Sequence, residues 1–306
     1  MIKNTVKKLF GKLGLQVSRT SKTSYNHNEI ITSRIGDYNM LLNKRHALPN
    51  VLKKFPYYST NLPRLASKVK EKYTDLLLID VGANIGDTVA LNRSKTHFPI
   101  VCIEGDDFYF SILKKNITQF KNVEAFHFFL GEKNNIITGR KEIDNGTLKI
   151  VTNNDNENST ISIITLDNFL QMNPKFKSAK ILKTDTDGFD LRIIRGGLDY
   201  IQKTKPVLFF EYDRTMLEGI QENGIDTLNL LENMGYETAM FYDNFGRFLL
   251  STELANKQLI SQLHYYIKDN VSSFPYYDIA LFHQQDKDIA NKFIEDEIAF
   301  FKKSKI

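Results

Sequence analysis

Leu76-Leu77-Leu78-Ile79-Asp80-Val81-Gly82-Ala83-Asn84-Ile85-Gly86-Asp87 is the stretch whose reading decides the fold. Leu76–Val81 is a nearly continuous apolar run, as expected of a strand buried on both faces. It enters a turn with two glycines, and a helix is predicted to start at Asp87–Asn92. Glycine lets the backbone bend sharply and lets a ligand come close. The free N–H groups of the following helix face the same turn. Glu104 lies 18 residues beyond Gly86, about where an acid accepts hydrogen bonds from a ribose diol. The loop is not the dinucleotide pattern G-x-G-x-x-G, because Asn84 takes the middle position. Asp80 and Asp87 also suit a ligand with a positive aminoacyl end better than a pyrophosphate.

The pattern continues outward. Ile100–Glu104 and Val123–Phe129 read as further strands, with a helix through Ile112 and Leu113 between them. Ile181–Thr184, Pro206–Glu211, Tyr236–Tyr242 and Asp278–His283 read as later strands. Helices are predicted over Leu191–Ile201, Ile225–Met234 and Asp288–Phe301. Short apolar strands alternating with helices imply an α/β fold with a mostly parallel sheet covered on both faces. Residues 133–160 break the alternation. Asp144-Asn145-Gly146 is a hairpin signal, and the polar run Thr152–Asn158 reads as solvated.

A second cluster of chemistry follows the fourth strand, in Lys183-Thr184-Asp185-Thr186-Asp187-Gly188-Phe189-Asp190. In a doubly wound sheet the carboxyl ends of the strands share one crevice. Asp185 and Glu211 are therefore expected beside Gly82–Gly86. Several acids in one cleft are costly unless they meet a cation, a metal or hydroxyl donors. An EF-hand is excluded, because aligning Gly188 with its glycine puts Lys183 and Ile194 where carboxylates are needed. Two other readings stay open: a metal-binding Asp185-Thr186-Asp187 of nucleotide-sugar glycosyltransferases, and acids that cap a helix.

Composition narrows the classes. The chain has 306 residues, 42% hydrophobic and 25% charged, which excludes a disordered chain. The net charge of +5 gives no reason to expect a nucleic-acid partner. No apolar run reaches the ~20 residues of a membrane span. The single cysteine, Cys102, rules out an internal disulfide and lies in an apolar strand, as expected of a buried thiol. His127, also in a strand, reads as structural. Residues 1–28 carry Lys3, Lys7, Lys8, Lys12, Arg19 and Lys22 and no acid. With Ile2, Val6, Leu9, Phe10 and Leu13 at helical spacing, residues 1–20 are a candidate for peripheral membrane contact. Two parts are expected, an N-terminal helical or cap segment over 1–70 and the α/β domain over 71–306.

Taken together, the motifs resemble the FkbM family of S-adenosylmethionine-dependent methyltransferases. The matching residues are Ile79–Gly86, Glu104, Thr165-Leu166-Asp167, Lys183–Asp190, Gly196 and Pro206–Glu211, within residues 75–215. Asp187 and Asp190 stand where the family usually has Glu, so both arms are one methylene shorter. The resemblance implies a Rossmann-like class I fold, with a seven-stranded sheet in the order 3-2-1-4-5-7-6 and the last strand antiparallel. It also implies O-methylation, often of sugar hydroxyls of the bacterial surface polysaccharide type.

On that reading S-adenosyl-L-methionine is the cofactor. Gly82, Ala83, Asn84 and Gly86 surround its aminoacyl end, Asp80 orients the amino group and Glu104 holds the ribose. Asp106, Phe108 or the loop at Gly131-Glu132 is expected near the adenine. Asp185 and Asp187 are the first candidates for the base, with Glu211 next. A divalent ion is not expected, although these three carboxylates have the hard oxygen donors that suit Mg²⁺ or Ca²⁺. The partner is a small molecule or a glycan, the setting cytoplasmic with optional membrane association. Two alternatives are a glycosyltransferase and a non-catalytic binding protein that kept the fold.

Overall fold

The computed structural model describes residues 29–144, 147–151, 159–213, 224–267 and 275–303. The stretch 1–20, the turn Asn145-Gly146 and the run Thr152–Asn158 lie outside them. An eight-stranded sheet forms the centre. Its first half is β3 (Leu78–Val81), β4 (Ile100–Glu104) and β5 (Val123–His127), linked by α3 (Asp87–Arg93) and α4 (Asp107–Asn116). Its second half is β10 (Ile181–Thr184), β11 (Val207–Asp213), β12 (Tyr236–Asp243), β13 (Phe248–Glu253) and β14 (Tyr276–His283). The order is β13-β12-β14-β11-β10-β3-β4-β5. β14 runs antiparallel to β11, whereas β10 pairs in parallel with both β3 and β11.

This is the class I order with one strand more than expected, because β13 pairs antiparallel with β12 and extends that edge. The strand order reverses between β3 and β10, so a crevice opens there at the strands' carboxyl ends.

Alternate residues of each strand feed opposite cores. Leu77, Ile79 and Val81 pack with Leu182, Leu208 and Phe210 beneath α5 (Leu166–Met172), α6 (Asp190–Arg195), α7 (Leu198–Thr204), α8 (Gly224–Asn233) and α9 (Lys257–Tyr266). Leu78, Ile100, Cys102, Ile181 and Phe209 face the other way, against α2 (Asn61–Lys72) and α10 (Lys287–Lys303). Burying a side chain of this size contributes about 1.5–3 kcal/mol, and both faces are filled. Cys102 is a fully buried free thiol.

Three stretches differ from expectation. The N-terminal segment opens with a hairpin, β1 (Ile30–Ile35) and β2 (Tyr38–Asn43), before α1 (Leu48–Lys54) and α2. Gly36 turns it with a φ of 55°, and Ile35, Met40 and Leu42 pack on Ile85, Ala90 and Tyr109. The run through Phe129 divides, because β6 (Phe129–Gly131) leaves the main sheet to pair with β9 (Ser159–Thr165). The helix over 191–201 divides at Gly196-Gly197. A Cβ on Gly196 would sit 2.1 Å from the carbonyl oxygen of Gly131.

The expected insertion hairpin is present as β7 (Asn135–Asp144) against β8 (Thr147–Val151), inside a four-stranded side sheet. Among the described residues, no helix is long and apolar enough to cross a membrane.

Candidate active site

The glycine loop is held by its neighbours on three sides. The amides of Gly82 and Ala83 donate to the carbonyl of Ile103 at 2.9 and 3.1 Å, and the amide of Asp185 donates to Val81 at 3.1 Å. Gly82 has a φ of 76°, and a Cβ there would lie 2.0 Å from the carbonyl oxygen of Asp185. Only glycine allows the two strand-end loops to touch this closely.

Glu104 ties the loop to the next strand. Its Oε2 accepts from the amide of Asn84 and its Oε1 from the amide of Asp106, both at 2.8 Å. Burial raises its pKa, and those amides pull it back. Each oxygen keeps a lone pair, so the carboxylate can still accept a ligand hydroxyl. Asn84, at a φ of 47°, is also contacted by His46, whose Nε2 lies 3.2 Å from Asn84 Oδ1. His46 Nδ1 accepts from the amide of Leu48 at 3.2 Å. That assigns the proton to Nε2, which donates to Asn84. Asn116 joins the hairpin to the same loop, donating to Leu41 and Ile85 at 2.8 Å each and accepting from the Leu41 amide.

Around these residues lies an open cleft. Gly82, Asn84, Glu104, Asp185 and Asp187 form its polar side. Phe128, Phe129, Leu130, Ile163 and Phe189 form an apolar slot. Gly105 floors that slot, where a Cβ would meet the Phe129 ring at 2.3 Å.

Other expected site residues fall elsewhere. Ala83 and Gly86 are buried behind the loop. Asp80 is fully buried and pairs with Lys183 at 2.9 Å, so its carboxylate is committed to that ammonium. Asp106 caps α4, accepting from Phe108 and Tyr109 at 2.9 and 3.0 Å. Glu132 pairs with Arg195 at 2.7 Å. His127 stacks on Phe110 and contacts the Gly105 carbonyl, a structural position.

The loop after β10 turns through Asp187 and Gly188, at φ values of 51° and 98°. Buried Asp190 accepts from Thr186 and Gly188 and shapes that loop. Burial and the charge of Asp185 push its pKa up to about 6. Asp187 borders the cleft and Asp190 does not; Asp190 opens α6 and holds the preceding loop through its amides, without capping the helix. Thr165 caps α5 through the Asn168 amide. Asp167 accepts from the amides of Asp199 and Tyr200 at the start of α7.

A second pocket opens on the opposite face of the sheet, and Asp185 lines both. Asp87, Lys183, Glu211 and Asp278 line this one, with Tyr58 and Asn61 from the N-terminal segment. Glu211 and Asp278 are direct partners across the antiparallel β11–β14 ladder. Asn61 donates to Asp278 at 3.0 Å. Burial, only partly offset by Asn61, and the charge of Asp185 push Asp278 up to about 7. Glu211 is pushed well above the carboxylate range by burial and by Asp185, Asp190, Asp187 and Asp278. Asp278, Asn61, Tyr58 and His46 carried no motif in the sequence, and only the fold places them here.

Among the described residues no three His, Cys, Asp or Glu side chains come together as a metal site. Asp187 faces the cleft and Glu211 the second pocket, so Asp185, Asp187 and Glu211 do not form one donor set.

Residues 80–238, more than half the chain, match the family model of the methyltransferase FkbM domain. The chain belongs to the FkbM methyltransferase family. No curated protein matches it. Among solved structures it is similar to the FkbM methyltransferase of Methylobacillus flagellatus KT, at 16% identity and a TM-score of 0.36. That match covers 54% of this chain and 40% of that one, well under half its length. TYW2 of M. jannaschii, solved with AdoMet, is 12% identical over 86% of this chain and 90% of that one, with a TM-score of 0.37. The tRNA (uracil-54, C5)-methyltransferase of Pyrococcus abyssi, solved with S-adenosyl-L-homocysteine, is 11% identical over 87% and 48%, with a TM-score of 0.38. The matched segment includes both the glycine loop and the acids after β10.

Proposed function

We propose that the protein is an S-adenosylmethionine-dependent O-methyltransferase whose acceptor is a hydroxyl of a sugar or glycan. The observation that carries this reading is Asp185, which stands on the wall of both the cleft beside the glycine loop and the acid-lined pocket.

The cleft fits the cofactor by its chemistry. Glu104 offers carboxylate lone pairs to a ribose diol, and the slot of Phe128, Phe129, Leu130 and Ile163 offers apolar walls to adenine. Gly82 and Asn84 border the part of the cleft left for the aminoacyl end. When bound, S-adenosylmethionine supplies an electrophilic methyl group on a sulfonium. Asp80, committed to Lys183, acts by fixing the floor of the site.

The chain's own part is to orient a hydroxyl and take its proton. A sugar hydroxyl is a poor nucleophile at neutral pH, so a general base is needed. Asp185 is half exposed and within reach of ligands on either side, which makes it the base. Glu211 and Asp278 accept hydrogen bonds from neighbouring hydroxyls, and Asp187 borders the cofactor side. Holding two reactants in line can supply about 7–11 kcal/mol of the barrier. We place the reaction in the cytoplasm, with residues 1–20 resting on a membrane surface.

Calorimetric titration with S-adenosylmethionine and S-adenosylhomocysteine tests the reading. Micromolar binding that Glu104→Ala abolishes is expected, followed by methyl transfer from labelled cofactor to a glycan hydroxyl. Binding of a UDP-sugar with Mn²⁺ in its place would move the protein to the glycosyltransferases. Binding of neither would leave a scaffold without chemistry.

A further inference from the structure

The second pocket is rich in carboxyl groups. Asp87, Asp185, Glu211 and Asp278 bring four carboxylates to it. The cation on its wall, Lys183, lies 2.9 Å from Asp80 and 3.5 Å from Asp185, so its charge is already matched. The side-chain amide of Asn61 is spent on Asp278.

Asn92 adds an independent observation. It is 0% exposed and lines the pocket. Its Nδ2 donates to the Thr88 carbonyl at 2.8 Å, while its Oδ1 has no partner. An orphaned buried acceptor beside four carboxylates calls for a ligand that donates. The hydroxyls of Tyr58, Ser59 and Tyr276 are the remaining donors on the wall, since that of Thr88 is used on Asp80, and they carry no positive charge to set against the acids.

Charge selects among donor-rich ligands. A phosphate or carboxylate on the ligand would face four acids. A neutral hydroxyl can satisfy acceptors but does not favour the ionised form of Glu211 and Asp278, whose carboxyls are held above the usual range. An ammonium group does both, and charge-assisted bonds to carboxylates are roughly twice as strong as neutral ones. We propose that this pocket recognises an ammonium group on the acceptor, so that the substrate class is an aminated sugar or polyol with a free amine. This rests on the methyltransferase reading above and narrows it.

An ammonium can reach the pocket from the acceptor or from the aminoacyl end of the cofactor. The test therefore uses protein already saturated with S-adenosylhomocysteine, which carries its own ammonium. Glucosamine, N-acetylglucosamine and glucose are titrated into it at neutral pH. Glucosamine is expected to bind about tenfold or more tighter than the other two, as one charged hydrogen bond can provide. Asp278→Asn keeps an oxygen for Asn61 and removes the group that can ionise against an ammonium. It should erase that preference and leave S-adenosylhomocysteine affinity unchanged, which also reports that the variant is folded.

Equal binding of the three sugars, or none by glucosamine while S-adenosylhomocysteine binds, overturns the proposal. Loss of S-adenosylhomocysteine affinity in the folded Asp278→Asn protein assigns the pocket to the cofactor and also overturns it. Failure of the wild-type protein to bind S-adenosylhomocysteine at all is the distinct failure of the methyltransferase reading.

Discussion

Lys183 and Asp80 are direct partners on adjacent parallel strands, their charged atoms 2.9 Å apart and their side chains 7% and 0% exposed. Burial alone would lower the Lys183 ammonium, but Asp80, Asp185 and Asp87 outweigh it and hold it above its ordinary value. Removing one partner strands the other. Lys183→Met is expected to cost about 3–5 kcal/mol in urea unfolding. Adding Asp80→Asn should recover most of that loss, and no recovery would mean that the pair is not the source of the cost.

Gly82→Ala forces a side chain into a φ of 76° and against the carbonyl of Asp185. The two loops must separate by more than an ångström. Affinity for S-adenosylhomocysteine should fall at least about tenfold, the loss of one to two kcal/mol of contact. Wild-type affinity in calorimetry would show that the loop contact does not shape the cleft.

Glu104→Gln tests a different link. A glutamine has one side-chain oxygen, so it can accept from Asn84 or from Asp106 but presents its NH₂ group to the other amide. Stability should drop by about 1–3 kcal/mol, and cofactor binding should weaken with it. A variant with unchanged melting and unchanged affinity would remove Glu104 from both roles.

Asp185→Asn should lower the methylation rate about 10²–10⁴-fold, the usual contribution of a positioned base. Its affinity for the neutral product S-adenosylhomocysteine should change little, because Glu104 and the apolar slot remain. A rate loss under about threefold in single-turnover assays would assign the proton to another group.

The buried acids also set a pH dependence. In the folded protein Asp278 titrates near 7 and Asp190 near 6, against 3.8 for an ordinary aspartate. Between those values the native state holds protons that the unfolded chain has released. Stability is therefore greatest at the acidic end of this window and falls as pH rises through about 6 to 7. Thermal unfolding should show a lower midpoint at pH 8 than at pH 5.5, with a flatter profile in Asp278→Asn. A midpoint that rises across this range would contradict the protonated assignment.

Much of this was legible in the residues. The run Leu76–Val81, the glycines behind it and Glu104 defined the strand, the turn and the cleft wall, because buried parallel strands and tight βα turns leave local marks. The acids after β10 were visible as a group, but their division was not. Asp187 borders the cleft and Asp190 folds back onto amides, a difference set by a two-residue turn at positive φ. Asp278 lies in an ordinary strand. Its role comes from β14 being inserted antiparallel beside β11, a long-range pairing with no local signature. The hairpin over Ile30–Asn43 was equally quiet, its alternation hidden by Ser33 on the inner face, by Ile30 on the outer face and by buried Asn43. β13 joined the sheet by pairing alone.

Asp185 belongs to two walls at once. Any ligand that fills one cavity changes the field felt by the carboxylate that the other ligand meets. The two binding equilibria are therefore linked, and the factor by which cofactor alters acceptor affinity must equal the factor by which acceptor alters cofactor affinity. A cationic methyl donor partly satisfies that carboxylate and its neutral product does not. On the methyltransferase reading proposed above, loss of one positive charge on the cofactor side would be felt on the acceptor side, and a single aspartate would couple substrate entry to product release.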